Sequence, residues 1–433
     1  MLETAELFLT NRVIVDATQA IVELFPEGST LDESGELLLG GVRARELAQT
    51  FGTPVYVVDE GALLRQAARM RDTLSELWPN SRVIFASKAF PCVAVYRALA
   101  QAGLGMDVAG GGELVMALAG GVDPREIVMH GNAKTSEELA LALHAGVGTI
   151  VVDNFDDIDR LERLVRGEQT VLIRVIPGIR GKTHDAISTG QVGSKFGLGG
   201  NDAHEAIARI RSSDRLRLAG VHMHIGSQIL EVEPFMAAVK ALAEFGEFSV
   251  YDLGGGLGAR YTYADNPPSV DSWIGSLVGA ARKHLPSEAQ LIIEPGRSMV
   301  ARSGVTLYEV VSVKHGSPTF VAVDGGMGDN LEVSLYDQRF EATIVDRVGG
   351  GDPVDLVGRH CESGDRISAG VSLRSPVVGD IVAVPVTGAY CFTMSNNYNG
   401  ARRPPVVFVN SGQAQLVFRR ESYDDLLARN VSI

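Results

Sequence analysis

Val83-Ile84-Phe85-Ala86-Ser87-Lys88 decides how this chain of 433 residues is read. The run is short and apolar without alternation, as a strand buried on both faces should be. It ends on a lysine, placed where the strand leaves the sheet. A lysine held there can lose its proton by desolvation and form a Schiff base with a carbonyl cofactor. On its own a strand-end lysine is usually just solvated. Its company along the chain decides between the two.

Seven more runs of the same texture occur, at 106–109, 127–130, 149–153, 170–174, 218–224, 248–252 and 291–294. Amphipathic stretches separate them, among them 136–145, 203–211 and 234–245. Eight strands alternating with helices over residues 58–297 predict a (β/α)8 barrel of the TIM type. Lys88, Asp107, Asn132, Asp153, Arg174, His224, the Asp252–Gly256 segment and Glu294 then fall at or just past C-terminal strand ends. That rim is where this fold builds active sites. Asp and Asn also cap helices, so Asn132 and Asp153 alone carry little. A Lys, a His, a Gly-rich turn and an apolar-embedded Glu on one rim carry more.

Residues 1–57 and 298–433 read differently. Runs such as 305–311, 319–324, 380–385 and 406–409 are short, Val-rich and separated by turns, as in a β-sandwich or Greek-key barrel. The expectation is one mainly-β domain, its C-terminal part completed by the N-terminal segment, with the barrel inserted between them.

Composition excludes several function classes. A net charge of −14 argues against a nucleic-acid partner and offers no basic stripe to a membrane. No 18-residue apolar run occurs, and Met1-Leu2-Glu3-Thr4-Ala5-Glu6 lacks the positive start of a signal peptide. Cys92, Cys361 and Cys391 show no metal-ligand spacing and are too few for a disulfide scaffold. A cytoplasmic enzyme acting on a small molecule, without a metal, is expected.

The motifs, taken in order, resemble the diaminopimelate decarboxylase family, in the alanine-racemase-like group of pyridoxal 5'-phosphate (PLP) enzymes. They are Phe85-Ala86-Ser87-Lys88-Ala89, Gly131-Asn132-Ala133-Lys134-Thr135, Ser194-Lys195-Phe196-Gly197 and His222-Met223-His224-Ile225-Gly226-Ser227-Gln228. Asp252-Leu253-Gly254-Gly255-Gly256, Glu294-Pro295-Gly296-Arg297, Cys361-Glu362-Ser363-Gly364-Asp365 and Gly388-Ala389-Tyr390 complete the set. The resemblance implies that Lys88 holds PLP covalently and that His224 stacks on the pyridine ring. It implies that Glu294 binds the ring nitrogen, the acidic partner of an electron sink. Gly254, Gly255 and Gly256, following strand seven, are where this fold places phosphate. Ser227, Gly296, Arg297 and Tyr390 join them, and Asp107 and Arg174 border the cofactor. Cys361 and Glu362 resemble a pair that the family donates across a two-fold homodimer, the thiol as proton donor to the α-carbon and Glu362 as a substrate-amine contact.

One segment departs from the family pattern. The resemblance implies Arg-Pro-X-X-X-Tyr, whose Arg and Tyr hold the substrate's distal carboxylate together with the Arg of Glu-Pro-Gly-Arg. This chain reads Leu331-Glu332-Val333-Ser334-Leu335-Tyr336. The tyrosine is kept as Tyr336, but Glu332 stands at the arginine position and would repel an acid. With the segment read as a strand, Arg339 falls on the opposite face from Tyr336. Two readings result: diaminopimelate decarboxylase activity (meso-diaminopimelate to L-lysine and CO2), or a paralogous decarboxylase whose substrate lacks a free distal carboxylate. A racemase, which pairs the pyridine nitrogen with Arg, is disfavoured by Glu294. A non-catalytic PLP carrier is disfavoured by Lys88, Cys361 and the β-domain.

Overall fold

Strand β1 (Ser81–Ala86) carries Lys88 on the 3-10 turn that comes after it, Ser87–Ala89. The computed structural model describes residues 16–179 and 194–431; Met1–Glu6, the stretch weighed as a leader, lies outside them. The chain forms two compact units. One comprises Leu63–Ala259 and Pro267–Ala301; the other comprises the chain up to Ala62, Arg260–Asn266, and Arg302 onward. The excursion at Arg260–Asn266 leaves no mark in the hydrophobic periodicity.

The first unit is the expected barrel. After β1 come β2 (Gly105–Val108), β3 (Ile127–Met129), β4 (Thr149–Val152), β5 (Gln169–Arg174), β6 (Leu216–His222), β7 (Val250–Asp252) and β8 (Gln290–Ile293). All neighbours pair in parallel, and β8 closes onto β1. Parallel strands need crossovers, and the helices between them start at recognisable caps. Thr135 forms a capping box with Glu138 at the start of helix Ser136–Ala145, and Asn154 caps helix Phe155–Leu164.

The barrel interior explains the polar rim. Ile84, Val128, Val151, Leu172, Ala219 and Ile292 pack together inside, with Val250 against them. Side chains of a strand alternate, so a residue two further on returns to the same face. Two residues past the apolar tier stand His130, Asp153, Arg174, Asp252 and Glu294, all buried. A bulge at Ala219 shifts β6 so that His222 pairs with Arg174 and joins this charged tier. Two residues further again come Lys88 and His224.

The second unit is built on the long strand Gly304–Lys314. It pairs antiparallel with the N-terminal strand Val55–Asp59 and with Phe320–Val323 and Ile381–Pro385. Val406–Asn410 then pairs in parallel with Val55–Asp59, so the sheet draws on chain from both sides of the barrel segment. Its core includes Leu37, Leu47, Val57, Leu307, Ala383 and Val407. Among the described residues no helix is long and apolar enough to cross a membrane.

One local expectation is corrected. Glu332–Tyr336 is a short helix, not a strand. Glu332 and Tyr336 therefore share a helical face, and the alternation argument about Arg339 does not apply. The run Leu-Glu-Val-Ser-Leu alternates as a strand would, but five residues suffice for one helical turn closed by Asp337 at φ +53°.

Candidate active site

The charged tier centres on Glu294. His130 Nε2 lies 2.7 Å from its Oε1, and His222 Nε2 is hydrogen-bonded at 3.2 Å to its Oε2. The His130 contact is an ion pair made off the ring's N–H axis, leaving Oε1 without an aligned hydrogen-bond donor. The two imidazoles meet edge to face, with centroids 4.7 Å apart. Burial opposes the charge on Glu294, but His130 and His222 outweigh it and hold the carboxylate well below the usual range. Burial likewise opposes a charged His130, and Glu294 and Asp107 overcome it, so its pKa is raised. His222 falls to about 4, chiefly through burial, and is neutral near pH 7. Its Nε2 then carries the proton, because an ionised carboxylate only accepts.

Asp252 takes the other role. Burial, then repulsion from Glu294, pushes its pKa well up, so this pair shares one negative charge. Its Oδ1 accepts the Gly254 N–H at 3.0 Å. Asp107, raised by burial despite His130, lies in the same field. The ligand atoms of His130, His222, Asp252 and Glu294 all lie within 4.8 Å of one another. Two ligands on a tetrahedral zinc sit about 3.2 Å apart, given bonds near 2.0 Å. The 2.7 Å His130–Glu294 contact is therefore that of an ion pair, not of two metal ligands.

Lys88 is exposed, and its charge is felt by Asp107, Glu113 and His224. His224 accepts the Gly255 N–H on Nδ1 at 3.3 Å. Burial, then the Lys88 charge, keeps its pKa well below the ordinary value, leaving a neutral flat ring. The glycine turn is dictated partly by packing. Gly254 has φ +65°, and a Cβ there would lie 2.2 Å from the Met223 carbonyl oxygen. Two of the three N–H groups that the sequence offers to a phosphate are thus turned inward, Gly254's to Asp252 and Gly255's to His224. Arg297 donates from Nε to Ser227 Oγ at 3.2 Å, joining two of the predicted residues, and Gly296 packs against Ala86 and Ala89.

On the far side of the rim, Arg174 lies 3.6 Å from Asp153 and 4.4 Å over the Phe196 ring. Asp153 accepts the Gly197 N–H at 3.0 Å, so it is no helix cap but the anchor of the Ser194–Gly197 motif. Lys134 is only 2% exposed. Its ammonium reaches Gly131 O at 2.5 Å, Val151 O at 2.8 Å and Asp157 Oδ2 at 2.6 Å. An ammonium has three protons, and all three are engaged.

Glu332, Tyr336, Cys361, Glu362 and Tyr390 lie in the β unit, on three loops fastened to one another. Asp365 accepts from Met327 N–H at 2.6 Å and His360 N–H at 2.7 Å. Asn396 N–H reaches Gly328 O, and Cys361 N–H reaches Asn399 Oδ1. Asp329 takes the Tyr308 hydroxyl at 2.6 Å. Cys361 and Glu362 stand exposed at the tip of this braced loop. Glu332 is buried at 1% exposure, and Tyr261 O–H reaches its Oε2 at 3.4 Å. Tyr390 is half-buried with φ +64°, a strained value for a tyrosine.

Sequence reading missed His130, His222 and Glu113 as site residues. His130, just past β3, could have been found by adding two to the inward Val128, whereas His222 at the end of β6 is brought in only by the bulge at Ala219. Glu113 caps the Ala109 N–H, and burial pushes its carboxyl up to about 7. Only the fold brings it near Lys88.

Comparison with known proteins converges. Residues 60–301 match the family described as pyridoxal-dependent decarboxylase, pyridoxal binding domain. A diaminopimelate decarboxylase of Actinosynnema pretiosum subsp. auranticum is 45% identical over 425 residues, covering 94% of this chain and 95% of that one. One of Mycobacterium tuberculosis H37Rv is 40% identical over 441 residues, covering 94% and 98%. The crystal structure of the M. jannaschii diaminopimelate decarboxylase in complex with L-lysine superposes with a TM-score of 0.88 at 30% identity, covering 95% and 99%.

Proposed function

We propose that this chain, which belongs to the diaminopimelate decarboxylase family of pyridoxal-dependent decarboxylases, converts meso-diaminopimelate to L-lysine and CO2. The observation that carries the reading is Glu294. It is a buried carboxylate kept ionised by its neighbours, with Oε1 unspent on any aligned donor. A protonated pyridine nitrogen needs such an acceptor, so the site fits PLP, the cofactor of this family. The rest of the donor set agrees: an amine at Lys88, a neutral flat ring at His224, and the Arg297–Ser227 pair for a phosphate. Bound PLP supplies the sink for the electrons left when CO2 departs.

The chain's own residues then divide the work. Lys88 holds the cofactor through its amine and Glu294 holds the ring N–H. His224 would lie against the ring face. Ser227, Gly256, Gly296, Arg297 and Tyr390 serve the phosphate, Gly254 and Gly255 shape the turn beside it with their own N–H groups spent on Asp252 and His224, and Asp107 and Arg174 stand at the border. Arg297, Tyr336, Tyr390 and Glu362 meet the substrate. When the carbon–carboxylate bond breaks, the Cys361 thiol gives its proton to that carbon. The exposure of Cys361 and Glu362 on a braced loop supports their service to the site of a second copy, in a homodimer. Cysteines outside any disulfide suit a cytoplasmic location.

Burial of Glu332, with the Tyr261 hydroxyl beside it, favours a second reading: a paralogue whose substrate lacks a free distal carboxylate. A CO2-release assay over meso-diaminopimelate, lysine, ornithine, arginine and glutamate derivatives decides between the two. Borohydride reduction of the holoenzyme followed by peptide mapping should place the pyridoxyl group on Lys88. A label on Lys134 or Lys195 overturns the site.

A further inference from the structure

The charged tier contains a histidine that the proposed chemistry does not use. His130 is buried, lies just past β3 and sits on the oxygen of Glu294 opposite the one held by His222. A carboxylate on a two-bond stem turns freely unless both oxygens are restrained. Here an imidazole lies on each, His222 by a hydrogen bond and His130 by an ion pair. The His130–His222 edge-to-face contact in turn fixes the two rings against each other. The three residues lie at or just past the ends of three different strands, β3, β6 and β8. The clamp is therefore a property of the closed barrel and not of any local motif.

We infer that His130 is a positioning residue for the cofactor-binding carboxylate, holding Glu294 in one rotamer and as an anion through the 2.7 Å ion pair. The inference rests on the reading that Glu294 receives the pyridine nitrogen of PLP. His130 acts on the cofactor only through Glu294, so its effect must vanish when Glu294 can no longer act. The charge logic agrees with the geometry. His222 is neutral and gives Glu294 a single hydrogen bond, whereas His130, its charge favoured by Glu294 and Asp107, supplies the positive charge that offsets burial of the carboxylate. Removing the ring leaves a buried anion facing a bound cation with one restraint instead of two.

The test is a double-mutant cycle read on cofactor affinity and on the visible absorption band of the holoenzyme. His130→Phe keeps a ring of similar size without its N–H or charge. Glu294→Gln keeps the shape without the anion. Each single variant should weaken PLP binding to the apoenzyme by about tenfold to a hundredfold, the usual effect of losing a charge-assisted contact. The double variant should match Glu294→Gln within about twofold, the tolerance of additivity. His130→Gln, which keeps a donor but not the charge, should recover only part of the affinity and of the parent absorption band. Full additivity of the two losses, or parental affinity and spectrum in His130→Phe, overturns the inference. If Glu294→Gln alone binds PLP like the parent with an unshifted band, it is the reading of Glu294 that fails. Should His130→Phe not fold, His130→Leu carries the same cycle.

Discussion

Lys134→Met should destabilise the barrel strongly while leaving the covalent chemistry in place. The parent ammonium is 2% exposed and Asp157 is fully buried, with 2.6 Å between them. Breaking such a pair from one side typically costs about 3–5 kcal/mol, because the remaining charge stays buried without its partner. Asp157 keeps two other supports, Arg160 Nη2 at 2.9 Å and the Asp153 N–H at 3.0 Å. They bring the expected loss to the lower end, about 3 kcal/mol. The carbonyls of Gly131 and Val151 also lose a donor, so the loss should not fall much below that. For a unit of this size the melting point drops by roughly 6–12 °C. The assay is urea denaturation of Lys134→Met, Asp157→Asn and the double variant. Coupling between the two sites should reach about 1.5–3 kcal/mol. A loss below about 1 kcal/mol would put the pair in the class of screened surface bridges and refute the reasoning. Lys134→Met must also still accept a borohydride-fixed pyridoxyl group on Lys88, since a lysine with all three protons engaged is unavailable to a carbonyl.

Three further outcomes are expected. Mixing inactive Lys88→Ala subunits with inactive Cys361→Ala subunits should restore activity, since one hybrid site then receives both intact residues; no recovery despite verified subunit exchange rejects the shared site. If Glu332 faces the distal end of the substrate, Glu332→Gln should raise kcat/KM on meso-diaminopimelate by about tenfold, the lower end of what a charged contact is worth; a parent enzyme already near ~10⁴ M⁻¹s⁻¹ on that substrate rules out the paralogue. Burial raises the Asp329 carboxyl to about 7, above its unfolded value of 3.8. The folded state then binds the extra proton, so stability falls as pH rises from about 4 to about 7. Asp329→Asn removes this term. The difference in urea midpoint should therefore move in the variant's favour between about pH 5 and pH 8, and a difference flat with pH rejects it.

What the sequence revealed and what it hid have one physical cause. Strands buried on both faces must be apolar throughout, so all eight barrel strands stood out, as did Lys88, His224 and Glu294 beyond their ends. Relations between strands leave no such trace. The bulge at Ala219 decides whether His222 or Val221 points at Arg174, and nothing in Leu218–His224 announces it. Asp153 read as a helix cap, and Lys134 only as a member of the Gly131–Thr135 motif. The structure makes Lys134 a buried ammonium and Asp153 the anchor of Gly197, because their partners arrive from other elements of the barrel. Glu332 is the reverse case. Its identity was conspicuous against the family pattern, but its strand-like surroundings pointed to the wrong local structure.

The tiered barrel also explains why a site of this charge density can exist in the fold. Five of the charged tier's residues stand two positions beyond apolar residues that fill the interior, so the strands that build the core also aim the carboxylates and imidazoles. A buried charge is tolerated only when its neighbours compensate it. Asp252 holding a proton, Glu294 holding a charge, His130 positive and His222 neutral satisfy that condition together and not one by one. Any single replacement in the tier must therefore redistribute protons among the remaining three. For that reason a cycle between His130 and Glu294, and not a single variant of either, is the measurement that isolates what each contributes.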